Sequence, residues 1–79
     1  YVYKVFRGER TASRDILISI AISMQLSLEE TQLLLRISKF AILDSRNKRD
    51  SIIIYGLTHD LSVFGIDDIL EEQDMSTLN

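Results

Sequence analysis

Cysteine, proline and tryptophan are all missing from this 79-residue sequence. The lack of cysteine excludes disulfide frameworks and thiolate metal sites, and leaves a reducing cytoplasm as the expected compartment. Without proline, and with glycine only at 8, 56 and 65, the chain has few ways to make tight hairpins, so its turns must rest on Ser and Asp. Aromatic residues are 8% of the total, which leaves the core to Ile and Leu. No stretch approaches the roughly twenty apolar residues of a membrane span, and no secretory-signal pattern occurs in it, so no membrane partner is expected.

Reactive constellations are equally scarce. His59 is the only histidine, set beside Asp60 in a turn, and no second His or Cys stands ready to complete a metal site. Asp67 and Glu71, at i and i+4, could share a face as an acid and base or as Mg²⁺ ligands do. No partner base or apolar cleft is evident around them, so they read as a solvated helix face. No Gly-rich phosphate loop occurs. Neither catalysis, a metal nor a cofactor is expected.

What is present is one domain over 1–79, near the lower limit for a self-sufficient core, with an apolar fraction of 46% that excludes disorder throughout. The net charge of −3 conceals segregation. Residues 1–14 carry Lys4, Arg7, Arg10 and Arg14 against Glu9, and residues 36–49 carry Arg36, Lys39, Arg46, Lys48 and Arg49 against Asp44. Residues 60–74 hold six carboxylates and no Lys or Arg. Such a chain can offer a basic face to a polyanion while staying acidic overall; the same charges also suit solvated helix surfaces.

The apolar spacing is helical. Ile16, Leu17, Ile20, Ala21 and Met24 form one stripe of a helix that Ser13 can cap. Ser27 with Glu30 is a capping box, with Leu26 at the staple position, and starts a helix near Leu28 that runs to about Lys39. A further helix is expected from about Asn47 to Leu57. Its Ser51–Tyr55 run is β-branched, but no partner strand exists elsewhere to satisfy its backbone. Ser62 caps a last helix from Val63 to about Glu72, and residues 74–79 read as an irregular tail.

The chain also half-repeats itself with an offset of 35: Arg14-Asp15 matches Arg49-Asp50, Ile18 matches Ile53, Leu26-Ser27 matches Leu61-Ser62 and Leu35 matches Leu70. Helical-hairpin repeats have periods near this length, and two amphipathic helix pairs also resemble one another by chance. The expected fold is all-α, a small bundle of two stacked helical hairpins around one core. Arg14 and Arg49 are expected first as ties between helices, with phosphate contact by Arg14 the sharper alternative.

The run Tyr1-Val2-Tyr3-Lys4-Val5-Phe6-Arg7-Gly8-Glu9-Arg10, then Thr11 to Asp15, the Ile20-Ala21 pattern and the Leu26–Glu30 turn, resembles the second half of a lambda-repressor-like (Xre-type) helix-turn-helix domain. The stretch 1–43 carries the resemblance, and 44–79, with its Asn47–Asp50 block, looks like the C-terminal helical extension of a bacterial subgroup of small regulators. The resemblance implies a DNA-binding transcriptional regulator whose first two helices are missing here, so that the expected partner is DNA through the intact protein. Ala12 stands where family members often carry Pro. The chain opens without Met, on an uncapped hydrophobic pattern, as though cut within an element.

With 100° per residue, Val2, Val5 and Phe6 share one face of a helix, leaving Tyr1, Lys4 and Tyr3 toward the other. Arg7 and Arg10 beyond its end, and Arg14 after them, complete the candidate DNA contacts, and Gly8 suits a left-handed cap. The plainer reading is a core-packing helix end whose cations favour the helix dipole. Either way the apolar side of Val2, Val5 and Phe6 lacks its usual partners, and a homo-oligomer, most simply a dimer, is expected to cover it.

Overall fold

The structure, a computed structural model, describes residues 10–78, and α1 at Arg10–Ser23 is the first of four helices among them. The helix expected over Tyr1–Phe6 lies outside the described residues. Ser13 does not cap α1: the helix is already formed at Arg10, and Ser13 sits inside its first turn. Nothing in Arg10, Thr11 or Ala12 opposes a helix, and Ala favours one most.

The later helices start where their caps stand. At α2 (Leu28–Ile37) the Glu30 N–H donates to Ser27 Oγ at 3.1 Å and the Ser27 N–H donates to Glu30 Oε1 at 2.9 Å, a complete capping box. Asn47 accepts from the Asp50 N–H at 3.0 Å to open α3 (Lys48–Thr58), and Ser62 accepts from the Gly65 N–H at 3.2 Å to open α4 (Val63–Glu72). Each such cap contributes about 1 kcal/mol. The β-branched run of Ser51–Tyr55 is helical, because the fold has work for that face: Ile53 is fully buried, and packing overrides propensity.

All four helices end alike. Gln25, Lys39, Asp60 and Asp74 take positive φ, and the next residue's N–H reaches back five positions: Leu26 to Ala21, Phe40 to Leu35, Leu61 to Gly56 and Met75 to Leu70. These are left-handed C-terminal caps made without glycine.

The hairpins α1–α2 and α3–α4 pack crosswise, α1 on α4 and α2 on α3. The offset of 35 holds throughout this core. Every buried apolar side chain among the described residues has a buried counterpart: Ile18 with Ile53, Ile22 with Leu57, Leu35 with Leu70, Leu43 with Leu78, and Ala21 and Ile66 with Gly56 and Thr31. The last two pairs compensate in size. A Cβ on Gly56 would overlap Cγ1 and Cδ1 of Ile66, whereas the equivalent positions hold Ala21 and the smaller Thr31.

Buried charge follows the same symmetry, crossed between hairpins. Arg14 of α1 donates to both oxygens of Asp50 of α3 at 3.2 and 3.0 Å, and Arg49 of α3 donates to both oxygens of Asp15 of α1 at 3.0 Å. Each guanidinium then grips its own hairpin's exit segment. Arg14 binds the Ala41 and Ile42 carbonyls at 2.9 and 3.2 Å, and Arg49 binds those of Ser76 and Thr77 at 2.9 and 3.3 Å. Chance likeness of two amphipathic helix pairs requires none of these shared long-range bonds. The expected helix ties are therefore present, in reciprocal form.

Removing one member of a buried ion pair leaves the other charge desolvated, a cost of about 3–5 kcal/mol and comparable with the whole stability of so small a domain. Asp15→Ala and Asp50→Ala should each lose that much in urea unfolding followed by circular dichroism; a loss below about 1 kcal/mol would discount the clamp. Gln25→Gly should gain about 1 kcal/mol in the same measurement by relieving the left-handed strain, and Asp60→Gly less, since Asp tolerates that conformation better.

Candidate nucleic-acid interface

Of the candidate DNA contacts, Tyr1, Tyr3, Lys4 and Arg7 lie outside the described residues, and Arg10 opens α1. Arg14, one turn further on, points inward. Its side chain is 15% exposed, and Nε and both terminal nitrogens are engaged by Asp50, Ala41 and Ile42. Four of its five N–H donors are thus committed to the clamp and to its own hairpin's exit segment. The geometry assigns Arg14 to the fold, the first of the two roles its sequence context allows.

The second basic block is divided in the same way. Arg49 is its inward member, while Arg36, Lys39 and Lys48 face solvent. Arg46 is 90% exposed and folds over Asp44, whose carboxylate accepts from the Arg46 backbone N–H at 2.9 Å and from its guanidinium at 3.3 Å. The backbone hydrogen bond first, and the guanidinium second, hold the Asp44 carboxyl below its ordinary pKa. This loop joins the two hairpins.

The acidic end departs from expectation at one residue. Helical spacing puts Asp67 on a solvated face with Glu71, yet it is buried and accepts the Leu78 N–H at 2.7 Å. Its counterpart Gln32 holds Leu43 at the equivalent place, accepting from the Leu43 N–H at 2.7 Å and donating to its carbonyl at 2.9 Å. The tail is thus irregular in secondary structure but docked, with Leu78 buried in the core. The repeat contains the signal for it: Met75 and Leu78 stand 35 positions after Phe40 and Leu43. Asp68, Glu71 and Glu72 are exposed, as a solvated face requires.

His59 is exposed in the turn, its Nδ1 2.9 Å from the Tyr55 carbonyl and its ring stacked on Tyr55 at 4.0 Å. A cleft of about 300 Å³ opens between the hairpin turns, lined by buried Ile22 and Leu57 and exposed Gln25 and Asp60. Among the described residues no three His, Cys, Asp or Glu groups gather to hold a metal. No described helix is long and apolar enough to cross a membrane. Comparison with known proteins gives no match: no family model, no curated protein and no solved structure aligns with the chain.

Asp67→Ala should undock the tail. The Leu78 amide should lose its protection from hydrogen exchange, and stability should fall by about 1–3 kcal/mol, the usual penalty for an orphaned buried donor. Undiminished protection at Leu78 would contradict this role.

Proposed function

We propose that the chain is the C-terminal portion of a helix-turn-helix transcriptional regulator, cytoplasmic and bacterial, in which the segment Tyr1–Arg10 meets DNA and the two hairpins brace it. The observation that carries this reading is the concentration of Lys4 and Arg7 among aromatic residues before α1, with Arg10 at its first position, in a chain otherwise acidic. Lys4, Tyr1 and Tyr3 are suited to base edges and sugars, and Arg7 and Arg10 to phosphates. The reciprocal clamp at the N-terminal part of α1 supports the same reading from the structural side, since a recognition element needs a fixed mount. The resemblance implies that bracing helices precede Tyr1 in the intact protein, and with a net charge of −3 this piece binds DNA weakly by itself.

A second reading, a protein-interaction or dimerisation module that does not touch DNA, draws on two observations. Arg14 is spent on the fold, and large apolar side chains such as Leu33, Ile37 and Phe64 face solvent. Fluorescence anisotropy of the full-length protein with its own promoter duplex separates the two. Replacing Lys4, Arg7 and Arg10 together by Ala should weaken binding and flatten the log–log salt dependence by about 0.9 for each phosphate no longer neutralised. Unchanged affinity and slope would favour the interaction module.

A further inference from the structure

The repeat supplies its own control for reading the surface. Five exposed positions of α2 and its exit, Glu29, Leu33, Arg36, Ile37 and Lys39, have exposed counterparts on α4 and its exit, namely Phe64, Asp68, Glu71, Glu72 and Asp74. Cap and exit geometry match in the two hairpins: both helices begin at a serine cap, and Lys39 and Asp74 share positive φ of 65° and 56°. The side chains therefore project from equivalent backbones. Inside the molecule such positions hold similar residues, but on this surface they are opposed. Arg36 and Lys39 become Glu71 and Asp74, and the apolar pair Leu33 and Ile37 becomes the acidic pair Asp68 and Glu72. The acidic pair shows that the fold itself does not require apolar residues at the positions of Leu33 and Ile37. Leu33 and Ile37, 50% and 68% exposed, are not explained by solvent.

We propose that copies of this chain associate head to tail, the α2 face of one on the α4 face of the next. The α2 face offers an apolar patch flanked by two cations. Its complement is an apolar anchor followed by carboxylates, and α4 is such a stripe: Phe64 is 75% exposed, and Asp68, Glu71 and Glu72 follow it on the same side at i+4, i+7 and i+8. With the two helices parallel and one turn out of step, Phe64 of the second copy covers Leu33 and Ile37, Asp68 reaches Arg36, and the Glu71–Glu72 turn reaches Lys39. Symmetric pairing is opposed by the same charges. Two α2 faces would set Arg36 and Lys39 against their own kind, and two α4 faces would crowd their carboxylates. Exposed ion pairs contribute little individually, so Phe64 supplies the attraction and the charges set partner and register. One such contact leaves an α2 face unused at one end and an α4 face at the other, so association continues unless it closes a ring. None of this depends on whether the chain reads DNA.

Sedimentation equilibrium tests it without DNA, with two charge-reversed variants: Arg36→Glu with Lys39→Glu, and Asp68→Lys with Glu71→Lys. The wild-type chain should show an average mass rising with concentration above the 9.1 kDa of the monomer, less so at high salt. Each variant alone should remain at 9.1 kDa, and their mixture should regain the wild-type mass, because reversed faces match one another and unreversed faces still match. Recovery on mixing also shows that both variants are folded. Phe64→Ala should weaken the wild-type association about tenfold or more. A wild-type chain monomeric at the highest attainable concentration would overturn the proposal. So would variants that associate as the wild type does, or a mixture that stays monomeric.

Discussion

Arg14 and Arg49 are cations withdrawn from most of their water, their side chains 15% and 18% exposed, and a cation so placed persists only where acceptors replace that water. Here each finds its carboxylate on the opposite hairpin and its carbonyls on the exit segment of its own. That requirement places α1 and α3, presses residues 41–42 and 76–77 against them, and carries Leu43 and Leu78 into the core behind. A chain without cysteine or proline thus obtains long-range order from two forked ion pairs. Hydrophobic burial supplies the bulk of the attraction, but it is indifferent to direction; the guanidinium forks are not.

Much of this is legible in the sequence, because it depends on neighbours along the chain. The Ser27–Glu30 box and the Ser62 cap are contained within four residues each, and they mark the starts of α2 and α4. The Ser51–Tyr55 run is helical against its propensity, as expected of a strand-like segment with no partner to satisfy its backbone. What the sequence obscures depends on partners far away. Asp67 looks like any acid of an acidic helix until the returning chain brings the Leu78 N–H to it. The basic block at 36–49 looks uniform, yet Arg49 is drawn inward while Lys48 beside it is solvated. Ser13 misleads for a local reason: a good capping residue marks a helix start only if the residues before it cannot be helical, and Arg10 to Ala12 can.

For the candidate interface the division is sharper. Residue type and order suggest a DNA-facing segment at 1–10 with Arg14 as its last cation. The fold ties Arg14 to Asp50 and makes it part of the mount. Arginine suits either duty, since the same planar donors that fit a phosphate also fit a carboxylate. Sequence alone cannot choose, because Asp50 lies 36 residues away.

The crossed pairing also bears on how the chain folds. Each hairpin carries one arginine and one aspartate of the clamp, but its own two cannot serve one another in this arrangement; each waits for the other hairpin's. A half-formed molecule would hold a desolvated guanidinium and a desolvated carboxylate at the moment its core began to close, with no counter-charge for either. Partly folded states are thereby penalised on both sides of the molecule at once. The clamp thus couples the folding of each hairpin to that of the other.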